Sequence, residues 1–422
     1  MGDTTGVIAD PAILSAAVQE LGDLQAYLDT AQSFLGQPFI WEQWNVVIMP
    51  YNYPMGSMEN PLITFVSPTI LSNIKPVPGY TSQQSYTLVH AACHQWFGNV
   101  VGTNNWEDFW VNEGFAVMCE RRVTDQIYGY NFALTEALIG NTSMVTAIEQ
   151  IGWDNTFSSI HPVLGSEFTM YPADSISDVS FEKGFQMLAY LETLIGYELM
   201  EDFMTYFLYN NWLTQVDQYT VRTNFLQFLE QMYAPFDDSA GVNAVLAAMD
   251  WDAWIFNVGP DPTGTLNFTN PYAQPAIDLA NAYIANNGSG SSPNNYAAYF
   301  DWSSNQRQAF LDTLMGQTPG LMNVAIMQQI DNDLSITISK DPEVKWRWFS
   351  TGLYLGYSAV ETPASTWVGQ MGRNKYIFPI YAALLDNSAT YGLTTFNAWW
   401  AENGYLYTSS TNLRLKTMQM NA

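Results

Sequence analysis

Apolar side chains along most of this chain recur every three or four residues, the spacing of one buried helix face. The pattern predicts helices at residues 11–35 and from Thr81 to Gly98, with further helices beyond them. Two short runs rich in Val, Ile, Thr and Phe, at residues 45–49 and 62–66, predict strands. The expected fold class is therefore mainly α, with a small β part (α+β).

Two prolines and two glycines interrupt the helical pattern within residues 258–264. Because both residue types break helices, the sequence predicts a domain at 1–258, a linker at 259–266 and a second domain at 267–422. In the second domain, helical stretches alternate with short polar turns such as residues 286–295. Paired helices of this kind pack as an α-helical solenoid, which is the architecture expected there.

Charge and composition restrict the setting of the protein. The 422 residues include 40 acidic and 13 basic side chains, a formal charge of -27, which argues against nucleic acid or an anionic membrane as a partner. Charged residues are only 13% of the chain, and no apolar run is long enough to span a bilayer. This surface and glycosylation triplets at Asn141, Asn267 and Asn287 favour an extracellular or cell-surface protein, with a cytoplasmic location as the alternative.

Aromatic residues make up 15% of the chain, and many, such as those at 346–349, lie at helical spacing. We expect most of them to pack between helices, whereas exposed ones could serve self-assembly or bind glycans or a peptide or protein partner. The two cysteines, Cys93 and Cys119, fall in predicted helices. They are either buried small apolar residues or a disulfide between the two helices.

The clearest candidate for chemistry is a pair of histidines followed by a glutamate. His90 and His94 are four residues apart, so a helix places both imidazoles on one face, where they can bind one metal ion. Glu113 lies on the next predicted helix and completes the two-histidine, one-carboxylate ligand set of a catalytic zinc. Glu120, seven residues further on the same face, could orient a ligand.

The chain resembles a known family over most of its length, and the motifs beside this site carry the resemblance. The run from Gly56 to Asn60 resembles the exopeptidase motif GxMEN, and His94 continues as Gln-Trp-Phe-Gly-Asn, as in that family's zinc helix. The chain is therefore similar to the M1 zinc aminopeptidases, and most closely to their leukotriene A4 hydrolase branch. The resemblance implies zinc as cofactor, a thermolysin-like zincin (gluzincin) domain and an armadillo-like helical domain after it.

The resemblance also marks positions where the catalytic residues are missing. Ala91 stands where the family has the glutamate that takes a proton from zinc-bound water. Phe181 aligns with the tyrosine that stabilises the oxyanion, and Ile176 with a second tyrosine. Because alanine and phenylalanine cannot perform these steps, we expect no intact catalytic residue and little turnover. The acidic residues that could replace the missing base are Glu107, Asp108 and Glu120.

The family's substrate-binding residues, in contrast, are kept. By resemblance they are Gly56, Met58, Glu59, Asn60, Arg373 and Lys375. Glu59 matches the residue that captures a free amino terminus, and Arg373 and Lys375 match those that receive a substrate carboxylate. The strand at 62–66 is expected to offer backbone groups to an extended peptide. The alternative is that Glu59 and Arg373 persist as structural ion pairs.

Two functions are consistent with these observations. The first is an inactive pseudopeptidase that keeps zinc and serves as an extracellular binding or structural subunit; the alternative is an active zinc aminopeptidase with an unorthodox base. The resemblance also implies a β-domain before this region, which the present sequence does not contain. We expect either a processed chain, a part of a longer protein or a protein that dispensed with that domain.

Overall fold

The computed structural model describes residues 2–71, 85–164, 176–233 and 239–422. Its strands are β1 (Thr5–Ile8), β2 (Trp44–Ile48), β3 (Ser57–Asn60), β4 (Ile63–Val66), β5 (Gly102–Thr103) and β6 (Gln215–Val216). The α-helices as far as Phe256 are α1 (Leu14–Glu20), α2 (Leu24–Leu35), α3 (Ser85–Cys93), α4 (Trp110–Tyr128), α5 (Tyr130–Ile151), α6 (Gly184–Ile195), α7 (Tyr197–Asn210), α8 (Gln218–Tyr233), α9 (Ser239–Ala248) and α10 (Trp251–Phe256). A π-helical turn at Val179–Lys183 runs directly into α6.

Helices alone follow in the last third of the described chain. They are α11 (Gln274–Asn286), α12 (Ser304–Met315), α13 (Val324–Leu334), α14 (Pro342–Leu355), α15 (Glu361–Val368), α16 (Asn374–Asp386), α17 (Gly392–Asn403) and α18 (Ser409–Asn421). Neighbouring helices pack in pairs, such as α11 with α12 and α16 with α17. The mainly α fold with a C-terminal helical domain is confirmed.

Two predicted helices differ from the observed ones. Residues 11–35 form two helices, α1 and α2, because the chain turns at Leu21–Asp23, where Gly22 disfavours a continuous helix. The predicted start at Thr81 lies outside the described residues, and α3 ends at Cys93 instead of reaching Gly98. The backbone N–H of His94 still donates to the carbonyl of His90, 3.0 Å away, so His94 keeps its helical position.

The larger sheet has the strand order β1-β2-β4-β3, in which only β3 and β4 pair antiparallel. Trp44, Val46 and Ile48 alternate inward along β2 and are buried. The strand predicted to receive a peptide, β4, lies inside the sheet with partners on both sides. That expectation is wrong, because both sides of β4 are already paired and the strand at this edge of the sheet is β3, which carries Glu59.

Two buried apolar clusters form the interior of the described chain. One contains side chains from Ala17 to Ile255, and the other contains side chains from Ala273 to Leu415. Between them, the Asp261 carboxylate accepts hydrogen bonds from the backbone N–H groups of Thr263, Thr265 and Leu266, so the predicted linker forms an ordered turn. The exact domain boundaries stay a prediction. None of the described helices combines the length and apolar character that a membrane-spanning helix needs.

Candidate metal and peptide site

His90, His94 and Glu113 meet at one point between α3 and α4. The Nε2 atoms of the two histidines are 2.9 Å apart, and Glu113 Oε2 lies 3.3 Å from His90 Nε2 and 3.2 Å from His94 Nε2. A zinc ion with bonds of about 2.0–2.1 Å in a tetrahedral site separates its ligand atoms by roughly 3.3 Å. The three residues therefore fit a zinc ion, and together they are the one group of this kind among the described residues.

The surroundings of the triad orient both Nε2 atoms toward each other and toward Glu113 Oε2. His94 Nδ1 lies 2.7 Å from the carbonyl oxygen of Phe97, to which it donates, and His90 Nδ1 lies 3.0 Å from Glu120 Oε2. A proton held at Nδ1 leaves the Nε2 lone pair free for a metal. Burial alone would raise the pKa of Glu113, but His94 and His90 outweigh burial and lower it to about 2. Glu113 is therefore a carboxylate ready to bind a cation.

A contact between two glycines fixes the helix that carries Glu113. A Cβ atom on Gly114 would lie 2.7 Å from the backbone carbon of Gly184, so the backbones of α4 and α6 touch at this point. The π-helical turn that precedes Gly184 then brings Phe181 against His90, with ring centres 6.0 Å apart. π-Helical turns are frequent at functional sites, where they redirect side chains.

Two of the three positions that the resemblance marks as catalytic, those of Ala91 and Phe181, lie at this site. Ala91 follows the ligand His90 on α3 and is fully buried. The half-buried Phe181 ring stacks beside the His90 imidazole and has no hydroxyl to donate. Ile176, also half-buried, lies just before the π-helical turn. The described side chains at these three positions therefore offer neither a base nor a hydrogen-bond donor.

The acidic residues proposed as replacement bases are all engaged elsewhere. Asp108 Oδ1 lies 2.9 Å from His161 Nδ1. Glu107 Oε1 accepts the backbone N–H of Leu164, 2.8 Å away. Glu120 contacts the Nδ1 side of His90, away from Nε2. The structure thus does not bring these carboxylates to the ligand atoms of the triad.

Behind His90 lies a buried cluster that sequence reasoning missed. Arg121 contacts Glu120, lies 3.7 Å from Glu136 Oε2, and donates to Glu182 Oε1 at 2.9 Å. Burial raises the pKa of Glu182 to about 7 and that of Glu136 to about 8, although Arg121 partly opposes the shift. The only sequence signal for this cluster is the adjacent pair Glu120 and Arg121, which does not reveal partners from α5 and the π-helical turn.

A disulfide joins the two ligand helices. Cys93 on α3 and Cys119 on α4 are bonded to each other, with Cα atoms 5.8 Å apart, and both side chains are fully buried. The sequence left this point open, since two cysteines in helices can equally be small apolar core residues. The structure contains the disulfide.

The GxMEN segment forms the edge of the sheet beside α3. Glu59 on β3 accepts a hydrogen bond from the Ser57 hydroxyl, and its carbonyl accepts one from the Asn99 side chain at 2.8 Å. Met58 is 42% exposed, and Asn60 ends the strand opposite Ile63. No ion pair joins Glu59 to Arg373 among the described residues, so the two side chains do not pair with each other.

Arg373 and Lys375 have different surroundings. The buried Arg373 guanidinium donates to the hydroxyls of Tyr376 and Thr69, at 2.7 and 3.3 Å, and packs where Gly56 has no side chain. Lys375 Nζ instead lies 2.9 Å from Oε1 of Glu343, a fully buried carboxylate. Burial would raise the pKa of Glu343, but Lys375 and Arg347 outweigh it and hold it well below its usual range.

Comparisons with known proteins agree with this fold. Residues 19–254 match the peptidase family M1 domain, and residues 302–410 match the leukotriene A4 hydrolase C-terminal domain. Leucine aminopeptidase 2 of Ajellomyces capsulatus is 28% identical over 386 residues, which cover 91% of this chain and 58% of that protein. Leucine aminopeptidase 2 of Emericella nidulans is 27% identical over 398 residues, which cover 94% and 61%.

Solved structures show the same fold. Yeast LTA4 hydrolase in complex with bestatin superposes with a TM-score of 0.83 at 23% identity, covering 98% of this chain and 65% of the other. Native leukotriene A4 hydrolase from Saccharomyces cerevisiae superposes with a TM-score of 0.79 at 23% identity, covering 99% and 65%.

A zincin-type domain followed by a helical domain defines the class as a metallopeptidase-like protein. More specifically, the chain belongs to peptidase family M1 and has the leukotriene A4 hydrolase type of C-terminal domain. It spans about three fifths of the length of these curated relatives.

Proposed function

We propose that this M1 protein is a pseudopeptidase, which holds zinc and binds peptides without cleaving them. The observation that carries the proposal is Ala91, because a methyl side chain cannot act as a base and Glu107, Asp108 and Glu120 are engaged with other partners. Zinc, when bound, would polarise a water molecule or a substrate carbonyl. Removing a general base typically costs about 100- to 10,000-fold in rate, and removing an oxyanion donor about 100-fold or more.

Peptide binding is supported by charged groups at and beside the GxMEN segment. Glu59, on the edge strand β3, offers a carboxylate to an amino terminus, and an edge strand is the kind of element to which an extended peptide adds. Arg373 has no carboxylate of the described residues within ion-pair distance, so a peptide carboxylate could pair with it. Lys375 is already paired with Glu343 and adds less.

A role outside the cell, as a binding or structural subunit, is supported by the disulfide and by two of the three glycosylation triplets. Disulfides persist in oxidising compartments. Asn267 and Asn287 are exposed, whereas Asn141 lies within α5 and accepts a hydrogen bond from Gln186 at 2.9 Å. We therefore expect the first two asparagines to accept glycans and Asn141 to remain unmodified in a glycosylating host.

The second candidate function is an active zinc aminopeptidase. The curated relatives are named leucine aminopeptidase 2, and the three metal ligands are intact in this chain. This function requires a base other than residue 91.

A paired assay separates the two functions. The wild type and an Ala91→Glu, Phe181→Tyr double variant are assayed on fluorogenic aminoacyl substrates, with zinc quantified in both and peptide affinity measured by calorimetry. A silent wild type with stoichiometric zinc and measurable peptide binding supports the pseudopeptidase. Chelator-sensitive turnover by the wild type would overturn it, and a wild type that binds zinc but no peptide would remove the binding role.

A further inference from the structure

The two cysteines lie next to the residues that form the metal site. Cys93 directly precedes the ligand His94, and Cys119 directly precedes Glu120, which supports His90. Their bond therefore connects α3, which carries His90 and leads directly into His94, to α4, which supplies Glu113. Because both side chains are fully buried, this link lies in the interior beside the site and not on the surface.

An ion that binds between two helices fixes their relative position, and this ordering costs conformational entropy. The cysteines are 26 residues apart in sequence, and the intervening chain includes turns and the short strand β5. Without a covalent link, α3 and α4 would have the arrangement that binds the ion in only a fraction of the molecules. The apparent affinity for the ion would be reduced by that fraction. A disulfide restricts that freedom before any ion binds.

We propose that the Cys93–Cys119 disulfide is a positioning element of the metal site. It holds the Glu113 helix against the His90 and His94 helix in the metal-free protein, and so raises the affinity for zinc. The inference rests only on the metal-binding part of the proposed function and is independent of whether the protein cleaves peptides. It differs from a purely stabilising role, which would change the melting temperature and leave the zinc affinity of the folded protein unchanged.

The first test compares the zinc affinity of folded proteins. Wild type and a Cys93→Ala, Cys119→Ala variant are titrated with zinc against a chromophoric chelator. We expect affinity in the variant to be weaker by about 10- to 100-fold, the range seen when groups that orient metal ligands are removed. Val221→Ala, a change at a fully buried position of α8, a helix that packs mainly on α7 and α9, is the matched control for lost stability.

The second test does not depend on the ion. Hydrogen exchange is measured by mass spectrometry on metal-free wild type and on both variants. We expect faster exchange in α3 and α4 of the double cysteine variant, and wild-type rates there in Val221→Ala. Should the double variant fail to fold, Cys93→Ser, which keeps the side-chain size, would carry the same comparison.

Equal zinc affinity and equal exchange in the folded cysteine variant would overturn the proposal. If the wild type bound no zinc at all, the metal-binding part of the proposed function would fail. The exchange comparison of metal-free proteins would still decide whether the disulfide positions the two helices.

Discussion

At the scale of single residues, Arg373 and Lys375 show how two similar cations take different roles. Glu343 accepts hydrogen bonds from Lys375, Tyr376 and Tyr86, at 2.9, 2.9 and 3.0 Å, so this internal carboxylate already pairs with the lysine. Among the described residues, the hydrogen bonds of Arg373 go to the hydroxyls of Thr69 and Tyr376, and no carboxylate lies within ion-pair distance of it. We therefore expect an incoming carboxylate to form a charge-assisted pair with Arg373 and not with Lys375.

We expect Arg373→Ala to weaken the binding of a tripeptide by about 2 kcal/mol, the usual value of a hydrogen bond to a charged group. The matched variant Lys375→Ala should change peptide affinity little and lower the melting temperature, because it removes a cation from buried Glu343. Calorimetry with a tripeptide and its C-terminal amide measures both effects. Equal losses in the two variants, or an equal loss for the amide, would contradict the assignment.

The sequence predicted the residues of the site better than their contacts. The spacing of His90 and His94 was enough to place both rings on one helix face, because that geometry is local. The pairing of Lys375 with Glu343, in contrast, joins α16 to α14, and no local pattern encodes it. The same reason explains why the contacts of Arg121 with Glu136 and Glu182 were not predicted.

At the scale of elements, the position of α4 depends on a point where it touches α6. Gly114→Ala would place a methyl group 2.7 Å from the backbone of Gly184, a distance that requires the helices to separate. We expect a loss of about 1–3 kcal/mol in the free energy of unfolding and weaker zinc binding, because Glu113 moves with its helix. Thermal denaturation with and without zinc measures both.

Gly316→Ala is the matched control for this change. Gly316 has a negative φ of -62°, and the nearest atom to an added Cβ is the Asp312 carbonyl oxygen at 3.4 Å, so an alanine fits there. A loss of stability in Gly316→Ala as large as that in Gly114→Ala would show that the helix contact is not the cause.

The elements were predicted to different degrees. Strands at 45–49 and 62–66 match β2 and β4 to within a residue, because β-branched side chains are concentrated there. The edge strand β3, with the sequence Ser-Met-Glu-Asn, has no such composition and was missed as a strand. Its pairing with β4 stabilises it, which a pattern along one segment cannot reveal.

At the scale of the whole molecule, a buried carboxyl lies where the two helical regions meet. Glu136 on α5 lies beside Arg121, Glu120 and Thr124 of α4, and its Oε1 accepts a hydrogen bond from Asn305 of α12, 3.4 Å away. Burial raises the pKa of Glu136 to about 8, well above the ordinary value of 4.5. The folded protein therefore holds a proton there that the unfolded chain releases.

This proton makes stability depend on pH. Between about pH 4.5 and 8 the folded state binds more protons than the unfolded state, so the contribution of Glu136 is complete below pH 4.5 and is lost as pH rises through 8. The side-chain amide in Glu136→Gln stays neutral across this pH range. We therefore expect the free energy of unfolding of this variant to exceed that of the wild type by about 1–3 kcal/mol at pH 9. Denaturant unfolding from pH 5 to 9 measures the difference.

The control is Glu402→Gln, since this exposed glutamate on α17 changes the net charge by the same amount. The wild type has a formal charge of -27, so any loss of a negative charge reduces repulsion a little. An identical dependence of stability on pH in both variants would show that the effect comes from net charge and not from the buried position of Glu136.

The residues on either side of the GxMEN segment contact the C-terminal domain, and these contacts have a consequence for synthesis. The backbone N–H groups of Gly372 and Asn374 donate to the carbonyls of Tyr51 and Pro54, at 2.7 and 2.8 Å, and Arg373 reaches Thr69 across 304 positions of sequence. A ribosome makes the chain from the N-terminus, so the residues around β3 obtain these partners only after the segment up to Asn374 has been translated. The proposed peptide site therefore cannot be complete in a shorter nascent chain, and we expect peptide binding to begin only when α16 has emerged.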